Sequence, residues 1–359
     1  MIKKLPLVLP VALAVSSAHS LELTATVAPI ASLVEQVAGQ PVQILIPASE
    51  SPHYFNMRMS QRALIEQSDL VFWVGESLET PISGALSKLP NAVSLAAKDA
   101  ELHGEHGHEE HGHEEHGHEE HGHEEHGHEE HGHEEHGHEE HGHEEHGHEE
   151  HGHEEHGHEE HGHDEHGHDE HGHDEHGHDE HGHEGHNHDD AHPWMSLEES
   201  EHLLTIIASE LSRIDSANQA QYEARAQQAI ERLHALEAGL KAATAPMKSI
   251  PYWVMHDAYG PFEADMGIRR TGVIQANVNV KPTAKELANL RQQVQSGGCI
   301  FNEPQMDARW IELVAKESNV SLHTLDPLGT ELTAGPELHA QLLKSIAAAF
   351  ADCADNVTN

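Results

Sequence analysis

The sequence predicts an α/β protein of two lobes with mostly parallel sheets, joined by a long helix, with a disordered His- and acid-rich loop inserted in the first lobe. Three observations carry that expectation. Short, nearly continuous apolar runs alternate with helix-like stretches before residue 100 and again after residue 246, which is the pattern of βα units whose parallel strands are buried on both faces. Between them, residues 217–243 contain no Pro and a single Gly and are rich in Ala, Gln, Glu and Leu, the composition of one long helix. Residues 101–190 hold almost no apolar side chain and cannot bury enough surface to offset the entropy of ordering them.

Taken in order, residues 1–20 read as an export signal: Lys3 and Lys4, an apolar run from Leu5 to Val15, then small residues, with cleavage after Ser20 or after Ala18. The first lobe, 21–216, opens with the alternating strand LELTATV, followed by SLVEQVAG, a helix stopped by Gly39, the strand VQILIP, a short helix SQRALIEQS capped by Ser60, and the apolar strand DLVFWVG. From Glu105 to His188 the repeat HGHEE, later HGHDE, fills the inserted loop, and a Gly in every repeat weakens any helix. Ser196 with Glu199 forms a capping box for the helix that follows. The connecting helix covers 217–245 and ends at Pro246. The second lobe, 246–359, resumes the βα pattern: PYWVMH strand, PTAKELANLRQQVQSGG helix, CIFNEP strand, MDARWIELVAKESN helix, VSLHTL strand, and a final helix ELHAQLLKSIAAAFADC.

The net charge of -45 is concentrated in the insert, which carries 35 carboxylates and neither Lys nor Arg. The rest of the chain is only mildly acidic, with 29 acidic against 19 basic side chains, and offers no basic footprint for nucleic acid and no basic amphipathic stretch for a membrane surface. After the signal, no apolar run approaches the roughly 20 residues of a membrane span. The two cysteines, Cys299 and Cys353, read as a disulfide in an oxidising compartment, with two separately buried thiols as the alternative.

Metal chemistry is the loudest signal. The insert holds 35 His, mostly as HGH pairs flanked by carboxylates, for example His106, His108, His111 and His113. Neutral imidazole binds zinc, copper or nickel, so the tract is expected to take up many such ions loosely, and to lose them as pH falls through about 6.5. Outside it, His53, His192 and His256 stand at strand or loop ends in aromatic-rich surroundings. Ligands of α/β sheets bind beyond the carboxyl ends of strands, where His53, His256 and Asp326 are expected. Three imidazoles and one oxygen would make a tetrahedral zinc site. His202, His234 and His339 fall in expected helices and read as surface or packing positions, His323 in a strand is ambiguous, and Trp73, Trp253 and Trp310 read as core. A zinc hydrolase would need a general base beside the metal. Neither HExxH nor a paired acid at ligand spacing appears in the globular part.

The motifs SPHYFNMRMS, HPWMS, HDAYGPFE, FNEPQ and LDPLGTEL, with a His- and acid-rich insert between the first two, resemble the periplasmic zinc-binding receptors of ABC importers, the ZnuA group, over nearly the whole mature chain. The resemblance implies two pseudo-symmetric (β/α)4 lobes joined by a rigid helix, His53, His192 and His256 as ligands of Zn2+, and a Cys299–Cys353 disulfide. It also implies a periplasmic location, an inner-membrane ABC permease for zinc as partner, a periplasmic zinc chaperone as a second candidate partner, and a monomer. No lipobox Cys follows the signal, so a free periplasmic form is expected. Some relatives carry an acidic residue before the first ligand His, where this chain has Pro52. That leaves water, Asp326 or Glu50 for the fourth position. Manganese-binding cousins use a carboxylate where this chain has His256, and nitrogen there favours zinc.

Overall fold

A computed structural model of the chain describes residues 20–96, 98, 191–274, 282–307, 309–318 and 320–358. Nearly all of the expected signal (1–19) and the whole histidine tract 101–190, with His106, His108, His111 and His113, lie outside the described residues.

The first sheet contains β1 (Leu23–Ala25), β2 (Gln43–Ile44), β3 (Leu70–Trp73) and β4 (Ala92–Ser94), all parallel, in the order β2-β1-β3-β4. The second contains β5 (Tyr252–Val254), β6 (Gly272–Val273), β7 (Cys299–Asn302) and β8 (Ser321–Thr324), again parallel, in the equivalent order β6-β5-β7-β8. In each, the central pair is buried along its length or nearly so, as covered parallel strands require, while the edge strands are partly exposed. The chain reverses direction across the sheet between β1 and β3 and again between β5 and β7. Crevices at the carboxyl ends of such strand pairs are where open α/β sheets bind ligands.

Helices α1 (Ala28–Ala38), α2 (Met59–Gln67), α3 (Thr80–Leu86) and α4 (Leu197–Ile214) serve the first sheet, and α6 (Gly260–Met266), α7 (Ala284–Gln293) and α8 (Arg309–Glu317) the second. Helix α5 (Gln219–Thr244) joins the lobes, and α9 (Leu338–Thr358) closes the chain against α5 and α1. At 26 residues, α5 is about 39 Å long. Arg225 of α5 donates to the carbonyl of Ala38 at 2.9 Å, where α1 ends at Gly39 in the left-handed conformation (φ 70°). A side chain at Gly39 would collide with that guanidinium, so the glycine serves both the turn and the junction.

Ser196 caps α4 as expected, accepting from the Glu199 amide at 3.2 Å. Ser60 does not cap α2. The helix starts two residues earlier, at Met59 behind Arg58, and the side chain of Gln61 satisfies the Arg58 amide at 2.9 Å. The apolar pattern does not place two of the units, α3 with β4 and α6 with β6, although four per lobe are what the family resemblance implies.

One apolar core runs through both sheets and α1, α4, α5 and α9. Along β5 and β7, Tyr252, Val254 and Phe301 face that core while Trp253, Met255 and Ile300 face a smaller one beneath α7 and α8. The disulfide Cys299–Cys353 joins β7 to α9, with both residues fully buried.

Candidate metal centre

Each candidate histidine is delivered by a different local device. His53 lies in a 3₁₀ turn, Pro52–Tyr54, beyond β2. His192 immediately precedes another, Pro193–Met195, which leads into α4. His256 follows β5, at the carboxyl end of a central strand of the second sheet. The three converge in one cleft between the lobes, with ring centroids 5.3–5.7 Å apart. One nitrogen from each lies within 4.8 Å of the others. Zinc bonds of about 2.0–2.1 Å place tetrahedral nitrogens about 3.4 Å apart, so a small contraction would close the triad on an ion. Among the described residues no other group of three or more His, Cys, Asp or Glu side chains converges in this way.

The electrostatics suit a cation. His53 is pushed down to about 3, chiefly by burial and then by His192 and His256, so its ring stays neutral and keeps a lone pair at any ordinary pH. Its Nε2 is buried without a hydrogen-bond partner, which is the condition of a ligand atom. His256 Nδ1 donates to Glu303 Oε1 at 2.6 Å, both residues being buried, which leaves Nε2 toward the cleft. Glu303 has no Lys or Arg among its described ion pairs. Its charge, after the effect of burial, pushes the Tyr54 hydroxyl up to about 12 and that of Tyr259 well above its ordinary value. Negative charge thus sits one bond behind the triad.

Asp326 is not brought into the triad. Its Oδ1 accepts from the amides of Leu328 and Gly329, each at 3.0 Å, and from Gln305 Nε2 at 2.9 Å, while Oδ2 accepts from the Thr330 amide. Both oxygens are committed to folding their own turn. Glu50 pairs with Arg58 at 3.6 Å on the partly exposed rim. Among the other histidines, His234 pairs with Glu201. His339 is buried and bonds the carbonyl of Trp194 at 2.7 Å. Glu303 and Gln305, which line the cleft, were assigned no role from the sequence, although their position directly after the strand CIFN was a usable signal.

The ZnuA family, described as "Zinc-uptake complex component A periplasmic", matches residues 23–353. The chain belongs to the ZnuA family. The High-affinity zinc uptake system protein ZnuA of Haemophilus influenzae is 34% identical over 344 residues, covering 92% of each protein. That of Brucella abortus is 34% identical over 166 residues, 46% of this chain, so the match spans only 50% of that relative's length. Among solved structures, one described as the crystal structure of ZnuA superposes with a TM-score of 0.61 at 18% identity, covering 94% of this chain and all of the other. The solute-binding protein FpvC of Pseudomonas aeruginosa, solved with Mn2+, gives 0.62 at 16% identity, covering 94% and 99%. These likenesses establish the fold. The ZnuA family is one of zinc-uptake receptors rather than enzymes, and among the described residues no helix is long and apolar enough to cross a membrane.

Proposed function

We propose that this protein captures Zn2+ in the periplasm between its two lobes, on His53, His192 and His256 with a water at the fourth position, and delivers it as a monomer to an inner-membrane ABC-type zinc importer. The observation that carries the reading is the convergence of three imidazoles from three separate segments, with a buried carboxylate orienting one of them. Nitrogen donors suit zinc better than manganese. Water is favoured at the fourth position because Asp326 and Glu50 are both engaged elsewhere. The tract 101–190 serves as an auxiliary collector or buffer, and a periplasmic zinc chaperone is a further candidate partner.

Calorimetric titration of the chain lacking residues 101–190 tests the reading. One tight zinc site is expected, lost in each of His53→Ala, His192→Ala and His256→Ala. A shortened chain without a tight site would show that the triad is not the capture site and that the tract is. Unchanged uptake under zinc starvation by that same shortened chain would remove the collector role while leaving the triad in place.

A further inference from the structure

The loop that follows β8 touches both metal-binding arms of the first lobe. Its turn, Asp326–Thr330, is built by Asp326, whose oxygens collect three backbone amides, with Gly329 in the left-handed conformation (φ 74°). From this turn, Thr330 Oγ1 donates to the carbonyl of Ala48 at 3.1 Å, on the loop that carries His53. Gln305 Nε2, from the loop after β7, donates to the same carbonyl at 2.8 Å, and to Asp326 Oδ1 at 2.9 Å and Thr330 Oγ1 at 3.1 Å. The amide orientation of Gln305 is fixed by these partners, since a flip would set its oxygen against a carbonyl and a carboxylate. On the other side, the Pro327 carbonyl accepts from Trp194 Nε1 at 2.9 Å, two residues from His192. A single turn of the second lobe therefore holds both arms that the first lobe contributes to the site.

We propose that Asp326 and Gln305 are positioning residues of the metal site: together they form an interlobe clip on the His53 and His192 arms that sets how fast a bound metal leaves. The clip rests on the capture reading above. Release requires His53 and His192 to separate from His256, and these side-chain hydrogen bonds resist that separation, together with those of Asp265 to Ser196 (3.3 Å) and to the Leu197 amide (2.6 Å) beside the His192 arm. Bonds of this kind, acting through a ligand's support rather than on the metal, typically change affinity about 10- to 100-fold, and within one site most such change falls on dissociation.

The full chain supplies its own local reporter. Residues 101–190 contain no Trp, whereas of the chain's four the ring of Trp194 lies 5.3 Å from that of His192, so the part of the zinc response that His53→Ala removes reports the cleft. Zinc-loaded protein is mixed with excess chelator and the emission followed in Asp326→Asn, Gln305→Leu and Thr330→Val, with His53→Ala as the site control and thermal melts of the zinc-free proteins as the fold control. Release is expected to be about tenfold faster in Asp326→Asn and Gln305→Leu, with association changed less than about twofold. The double variant is expected to fall well short of the product of the singles, because they break one device. Should Asp326→Asn fail to fold, Gln305→Leu and Thr330→Val decide the matter. Release within about twofold of the parent in every folded variant, while His53→Ala abolishes the signal, would overturn the clip and leave the capture site standing. A saturable zinc response that survives His53→Ala would overturn the capture reading, and the clip with it.

Discussion

A buried carboxylate with no cation beside it is an expensive group, and Glu303 is 2% exposed with His256 and neither Lys nor Arg among its described ion pairs. Its retention makes physical sense if the missing positive charge is the cargo. Orienting His256 through Nδ1 also fixes the tautomer that presents Nε2. Glu303→Gln keeps the shape and removes the charge, and is expected to weaken zinc binding about 10- to 100-fold by calorimetry while the zinc-free protein keeps its melting temperature. Affinity unchanged from the parent would show that Glu303 is a packing residue. At this scale the sequence singled out the three imidazoles that the structure brings together, and it did not anticipate that Asp326 would turn onto the amides of its own loop. His53, His192 and His256 stood apart from the repeat in polar, aromatic settings, so their type and position marked them. Asp326 and Glu303 both follow strands of the second sheet, and composition cannot distinguish a carboxylate that meets backbone amides from one that meets an imidazole. Only the turn geometry after each strand separates them.

Among the elements, β7 and α9 are joined both covalently and by aromatic packing. Phe301 and Phe350 meet edge to face at 4.9 Å, Tyr252 joins Phe350 at 5.2 Å, and the disulfide lies on the same pair of elements. Cross-linking residues 54 apart restricts the unfolded chain by about 4 kcal/mol on the loop-entropy argument. The double substitution Cys299→Ala with Cys353→Ala is expected to lower stability by about 2–5 kcal/mol in urea unfolding. Zinc affinity should survive, since no histidine of the triad lies on either element. A loss below about 1 kcal/mol would mean that the aromatic contacts alone secure α9. The legible elements were α5 from its composition, α4 from Ser196, β1 from the alternation of LELTATV, and β3, β5 and β7 from apolar runs. β6 was missed because its surroundings, IRRTGVI, break any apolar run with Arg, Thr and Gly, whereas the equally short β2 lies in the apolar run VQILIP, and α3 and α6 because seven residues give barely two turns.

At the scale of the whole molecule, the four described groups that burial shifts furthest into or around the working pH range, two acids and two histidines, tie stability to pH with opposite signs. Glu79 and Glu263 are both pushed up to about 7 by burial, the first against hydrogen bonds from Gly75, Thr26 and Val74, the second against the charge of Arg270. An unfolded glutamate ionises near 4.5, so between about 4.5 and 7 the folded state holds protons that the unfolded state has released, and stability falls as pH rises. His53 and His339 are pushed down to about 3 and about 4, in both cases mainly by burial. Below about 6.5 the unfolded state gains protons that these buried rings refuse, and stability falls as pH falls, until the folded values are reached. The two pairs oppose each other between about 4.5 and 6.5. Acting alone, they give zinc-free protein a plateau there, a decline toward pH 7 from the acids, and a decline below 4.5 from the histidines. Urea midpoints measured from pH 4 to pH 8 on the chain lacking 101–190 check this, and Glu79→Gln isolates one contribution by flattening the decline on the alkaline side. Saturating zinc should protect the acid side as well, because an imidazole that holds a metal cannot take a proton at the same nitrogen. Midpoints that climb steadily from pH 5 to pH 8 in both proteins would mean that Glu79 and Glu263 ionise normally within the fold, and that their burial is relieved by water or by partners other than those described.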